Sequence, residues 1–135
     1  MGLNLGHELE AGGEPMTRTL SFALIGLTAW AGPGAGPHDP VVSDGDKYQV
    51  VLENPRVRVL RYRDQPGAQT HLHHHPAFVL VALTAFRRQL TLPDGSKRER
   101  QFAAGDVAWM PAQDHVGSNV GGTPTEALLI EIKPD

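Results

Sequence analysis

Gly67-Ala68-Gln69-Thr70-His71-Leu72-His73-His74-His75-Pro76 holds four of the chain's seven histidines within five residues. In an extended strand alternate side chains face one way. His73 and His75 then project together from Cα atoms about 6.7 Å apart. That spacing lets two imidazoles converge on one ion at about 2.1 Å from each nitrogen. His71 has the same parity and is a candidate fourth ligand. His74 has the opposite parity and is expected to face away. Pro76 removes a backbone donor and marks the strand margin.

A second segment, Gly105-Asp106-Val107-Ala108-Trp109-Met110-Pro111-Ala112-Gln113-Asp114-His115-Val116-Gly117-Ser118-Asn119, opens on a turn glycine. It runs through an apolar strand and reaches a lone histidine after a proline turn. Outward from the two segments, short strands alternate with turns. Tyr48–Leu52 stops at Glu53-Asn54-Pro55, and Val57–Arg63 stops at Asp64-Gln65-Pro66-Gly67. Phe78–Leu83 is a continuous apolar run fit for a buried strand. Phe86, Leu90 and Leu92 share a parity, Leu92-Pro93-Asp94-Gly95-Ser96 reads as a hairpin loop, and Lys97–Phe102 returns. Val107–Met110 and Ala127–Ile132 complete the pattern. About eight short strands in about 90 residues predict an all-β, single-domain antiparallel sandwich or barrel.

Composition agrees. The 135 residues include 15 Gly and 11 Pro, which favour turns over a helical bundle. Lys+Arg 12 against Asp+Glu 15 gives a net charge of −3, so no basic field exists for nucleic acid. With Cys 0, disulfide scaffolds, thiolate zinc sites, iron–sulfur clusters and cysteine nucleophiles are excluded. No paired carboxylates, serine–histidine–acid arrangement or phosphate-cradling loop stands out. Metal or acid–base chemistry therefore falls to the histidines.

The two histidine segments resemble the two motifs of the cupin superfamily, a small jelly roll or double-stranded β-helix barrel. Its first motif runs Gly, five residues, His-x-His, then Glu after three or four residues. Gly67, His73 and His75 match it. The second runs Gly, five residues, Pro, a short turn, His, three residues, Asn, matched by Gly105, Pro111, His115 and Asn119. The resemblance spans roughly residues 48–133. Val79 or Leu80 stands where the family carries its glutamate ligand. The glycine closing the first motif is replaced around Ala85-Phe86, and the turn before His115 is one residue short, with Gln113 for glycine. The resemblance implies a first shell of His73, His75 and His115, with His71 as the candidate fourth, around a divalent transition metal: Fe, Zn, Mn, Ni or Cu. Some cupin enzymes, the thiol dioxygenases among them, also use three histidines. Without a carboxylate ligand the ion keeps its full positive charge and welcomes an anionic partner.

Other residues read more quietly. Asn119 is expected either to hydrogen-bond a ligand histidine or to cap a turn. Arg61, Arg63, Arg87 and Arg88 read as solvated strand faces, of which one turned inward would suit a substrate carboxylate. One of Trp109 and Met110 belongs to the core. His7 and His38 lie outside the expected domain.

Leu20–Ala31 is a twelve-residue apolar run, too short for the roughly 20 residues of a membrane-spanning helix. Arg18 precedes it and Ala29-Trp30-Ala31 forms an A-x-A site, so it reads as a secretory signal with translation starting at Met16. The alternative is a strand or helix of a cytoplasmic domain. On the signal reading residues 1–31 are a mis-assigned extension plus signal, 32–46 a flexible Gly/Pro lead-in, and 47–135 the barrel. The mature protein is then periplasmic or secreted, with no membrane or nucleic-acid partner and a small-molecule ligand; the resemblance to small cupins, which often pair, allows a homodimer, though no interface shows in the sequence. Two functions follow. One is a metal-dependent enzyme, dioxygenase-like or a lyase or isomerase, acting on a small organic molecule. The other is a non-catalytic barrel that captures a small ligand or a metal.

Overall fold

A computed structural model describes residues 36–135. The expected signal segment and the first four residues of the lead-in lie outside the described residues. Residues 36–46, expected as flexible, are folded. Asp39 caps a single helical turn, α1 (Pro40–Ser43), accepting a 2.9 Å bond from the Val41 amide, with proline at the first helical position. Asp39, Pro40 and Asp44 are buried. The His38 carbonyl accepts from the His74 amide at 2.7 Å, and Asp44 accepts from the His71 amide at 3.0 Å. Buried carboxylates with backbone partners hold this segment where its Gly/Pro content predicted freedom.

Nine strands follow: β1 (Tyr48–Glu53), β2 (Val57–Asp64), β3 (His73–His75), β4 (Phe78–Ala82), β5 (Phe86–Thr91), β6 (Lys97–Phe102), β7 (Val107–Met110), β8 (Gln113–Asn119) and β9 (Thr125–Ile132). They form a five-stranded sheet, β1-β2-β9-β4-β7, and a four-stranded sheet, β3-β8-β5-β6. Every named pairing is antiparallel. This is the all-β antiparallel arrangement that the strand spacing predicts, in the jelly-roll form that the resemblance implies. Gly67 and Gly105, the glycines opening the two histidine segments, have φ of 85° and 88°. Only glycine takes that conformation without steric cost, which explains its place in both turns.

Alternation along the strands builds one apolar core. Leu60 and Tyr62 from β2, Phe78 and Leu80 from β4, Phe86 and Leu90 from β5, and Leu129 from β9 all point inward. Met110 joins them, while Trp109 is 60% exposed, so its indole is on the outer surface and not in the barrel. β4 ends at Ala82; Leu83, expected in that strand, is exposed.

The strand that sequence pattern alone did not reveal is β8. Its inward positions are His115, Gly117 and Asn119, so no hydrophobic alternation announces it. The polar inward faces of β3 and β8 meet at one end of the apolar core, and the candidate site forms there.

Candidate metal centre

β3 and β8 pair with His73 directly opposite His115. Period-two alternation adds His75 on the same face, and all three histidines are buried. One ring nitrogen from each lies within 4.8 Å of the others. The Nε2 atoms of His73 and His75 are 3.0 Å apart. Two nitrogens about 2.1 Å from one ion and at right angles to each other would stand about 3.0 Å apart.

Hydrogen bonding fixes which nitrogens face the centre. His73 Nδ1 lies 2.8 Å from the His71 carbonyl, which can only accept, so Nδ1 carries the proton and Nε2 the lone pair. His75 Nδ1 lies 2.8 Å from Glu131 Oε1, and its Nε2 is likewise left as an acceptor. Two lone pairs aimed at each other repel unless a cation or a donor lies between them. Tyr48 Oη donates to His73 Nε2 at 3.2 Å and relieves only one. His115 Nδ1 is buried with no hydrogen-bond partner among the described residues. Three converging, undersupplied imidazoles are a donor set that fits a borderline divalent metal.

Burial also fixes the charge state. It lowers His73, lowers His75 well below the ordinary imidazole value, and pushes His115 down to about 2. Neutral imidazole is the form a metal requires. Glu131 lies under the site. Burial raises its carboxyl above the ordinary value against the pull of Arg58, whose Nε is 2.7 Å from Oε2. Arg58 in turn reaches Asp39 at 2.8 Å. A chain of partners thus runs from His75 through Glu131 and Arg58 to the α1 cap, the outer support that sets a ligand's tautomer and orientation.

The lowered histidines make the metal-free protein acid-sensitive. A histidine with a folded pKa below its unfolded value of about 6.5 binds fewer protons when folded. Stability is therefore flat above about pH 7 and is lost as pH falls below about 6.5. Thermal melts of chelator-treated protein should show the midpoint dropping steadily from pH 7 to pH 5. A constant midpoint over that range would contradict neutral burial.

Two sequence expectations are corrected. His71 does not join the cluster. It precedes β3, its side chain is largely exposed, and its Nδ1 pairs with Asp44 Oδ1 at 3.0 Å, because the strand whose parity included it begins only at His73. Asn119 touches no histidine. Its amide donates to Asp64 Oδ1 at 3.0 Å and to the Thr123 carbonyl at 2.9 Å, and its carbonyl accepts from the Gly121 amide, which is the capping role. His74 faces outward against Asp114, as parity predicts. Leu80 is in the apolar core and Val79 half-buried on the other side of β4, so neither supplies the missing ligand.

Sequence reasoning missed Tyr48, Asp44 and Glu131. Glu131 had a signal: in β9 the inward positions are Thr125, Ala127, Leu129 and Glu131, and a carboxylate continuing an apolar parity demands a partner. Arg88 had one as well, since it shares parity with Phe86 and Leu90.

No family model matches the chain, and no curated protein matches it. Solved structures do. A cupin domain from Bordetella pertussis Tohama I is 30% identical, with a TM-score of 0.59, over 64% of this chain and 92% of that one. The chain belongs to the cupin superfamily. Two further cupin-fold structures bear on the fold alone. One is an uncharacterized conserved protein with a double-stranded β-helix domain from Klebsiella pneumoniae, 24% identical with a TM-score of 0.52, over 64% of this chain and 75% of that one. The other is an RmlC-like cupin family protein from Methanocaldococcus jannaschii, 15% identical with a TM-score of 0.52, over 63% and 77%. Within that superfamily this cupin has three histidines that could hold a metal, and among the described residues no carboxylate converges with them, Glu131 reaching only the far nitrogen of His75.

Proposed function

We propose that this cupin is a metal-dependent enzyme, dioxygenase-like or a related lyase or isomerase, that acts on a small organic molecule at an ion held by His73, His75 and His115. The observation that carries the reading is the convergence of three buried, neutral imidazoles. A divalent ion bound there supplies Lewis acidity and, when it is iron, reactivity toward O₂. The chain's own groups do the rest. Glu131 and the His71 carbonyl hold the ligand tautomers. Burial raises the Tyr48 phenol, keeping it a proton donor beside the site. The apolar walls limit water. On the same proposal the mature protein begins near Gly32 and works in the periplasm or outside the cell.

A second reading, capture without turnover, draws support from the cavity beside the histidines. It is about 40 Å³, and among the described residues no carboxylate lines it to serve as a general base. Elemental analysis of untagged protein, followed by O₂ uptake with small organic acids on the iron-loaded form, separates the two. Metal near one per chain with substrate-dependent uptake is the expected result. Tight capture with no conversion would favour the second reading. No metal after reconstitution would overturn the enzyme reading and leave a barrel that captures a small ligand or a degenerate one.

A further inference from the structure

The groups that line the cavity beside the histidines are unbalanced in charge. Arg88 and Arg100 line it with His75, His115, Tyr48, Tyr62, Thr125 and apolar side chains, and among the described residues no carboxylate does. Arg88 is the inner of the two guanidiniums, only 9% exposed. It lies 4.5 Å over the Tyr62 ring, and its Nη1 is 2.7 Å from Asp64 Oδ2. Burial alone would raise Asp64, but the Tyr62 hydroxyl and Arg88 bring it below its ordinary value, so the pair is charged on both sides. Among the described residues Arg88 donates through Nη1 alone, and its Nε and Nη2 are not sealed off but open toward the cavity that Arg88 lines. Donors that open onto a cavity from a guanidinium held in place by Asp64 are free to meet an acceptor there.

β8 makes room for it. A Cβ on Gly117 would lie 2.4 Å from Arg88 Nη2. Gly117 follows His115 by two residues on the same inward face, so their Cα atoms are about 6.8 Å apart. One pleat thus separates the guanidinium from the metal histidines. Tyr48 supplies a second donor. Its hydroxyl rests on His73 Nε2, the lone pair that an ion would claim, and then needs another acceptor.

We propose that Arg88, with Tyr48, anchors the carboxylate of a small organic acid bound against the metal. This rests on the reading of His73, His75 and His115 as a metal site, and it names the substrate class for that site. The planar, paired oxygens of a carboxylate match the free Nε and Nη2 donors. The cavity's size restricts the acid to a few heavy atoms, since one water takes about 10–15 Å³ on the same measure. Its apolar wall of Phe78, Leu80 and Leu129 suits a short hydrocarbon body.

Propionate and its neutral isostere propionamide test the assignment on the full chain loaded with zinc, by calorimetric titration with metal content measured in parallel. The expected result is propionate binding, with propionamide at least about tenfold weaker. Arg88→Lys keeps a cation for Asp64 and loses the fork. It should bind propionate at least about tenfold more weakly at unchanged zinc content. Equal binding of the two probes, or of propionate to both proteins, with zinc retained, overturns the anchor and leaves the metal site standing. If the wild type holds no zinc, the metal reading fails, and the metal-free protein then decides the anchor by the same comparison. Should Arg88→Lys lose its cooperative melt, Gly117→Ala, which displaces the guanidinium without removing it, takes its place with the same expected loss.

Discussion

His115→Ala is expected to lose its metal. The substitution removes one of three protein ligands, so the loss should exceed the roughly 10–100-fold that removing an outer partner costs. Protein purified without a polyhistidine tag would go from near one metal per chain to none by elemental analysis, and His73→Ala would do the same. The change should not unfold the metal-free barrel. His115 Nδ1 is already unpartnered there, and an unsatisfied buried group costs about 1–3 kcal/mol, which offsets part of the cavity left by the ring. His74→Ala is the control. Its ring is outside, beside a half-exposed Asp114, and such pairs contribute about 0–1 kcal/mol. If His74→Ala empties the site as thoroughly as His115→Ala, the strand parity is wrong and so is the ligand set.

Glu131→Gln should weaken metal binding by about 10–100-fold while leaving all three ligands in place. The carboxylate accepts from His75 on one oxygen and from Arg58 on the other. A glutamine can accept from only one of them and presents its NH₂ to the other, donor against donor. Either His75 loses its tautomer partner or Arg58 swings to Asp39 alone. Competition against a chelator of known affinity reads the metal term, and thermal melts of the metal-free protein read a stability loss of about 1–3 kcal/mol. Unchanged affinity would mean that the His75 ring is held by packing, with Phe78 at 5.0 Å the obvious candidate.

What the sequence made legible follows from where hydrophobicity carries information. β2 and β4 have apolar cores and are placed to within one residue, while β9 begins two residues before the apolar run that reveals it. His73, His75 and His115 were accessible because parity and the two glycine-led motifs agree. β8 was not, because its inward face is the site itself, and polar inward residues read as a loop. Charge alone reads Arg88 as one of four solvated arginines and does not choose which turns inward, although its parity with Phe86 and Leu90 does. Parity places His71 in a strand that in fact starts two residues later, where the chain first pairs with β8. Asp44 lay in a stretch whose glycines and prolines suggested nothing to hold. Tertiary hydrogen bonds decide His71 and Asp44, and no local pattern encodes them.

The turn before the barrel alters where the molecule can be divided. Asp44 is buried beneath His71 and His73, and Asp39 closes the chain of partners that ends on His75. A fragment excised at Tyr48 would carry every strand and all three histidines, yet the carboxylates behind two of them would stay with the discarded piece. The smallest transplantable unit of this centre is therefore longer than its barrel. Grafting the strands into another scaffold would move the ligands and leave their foundation behind.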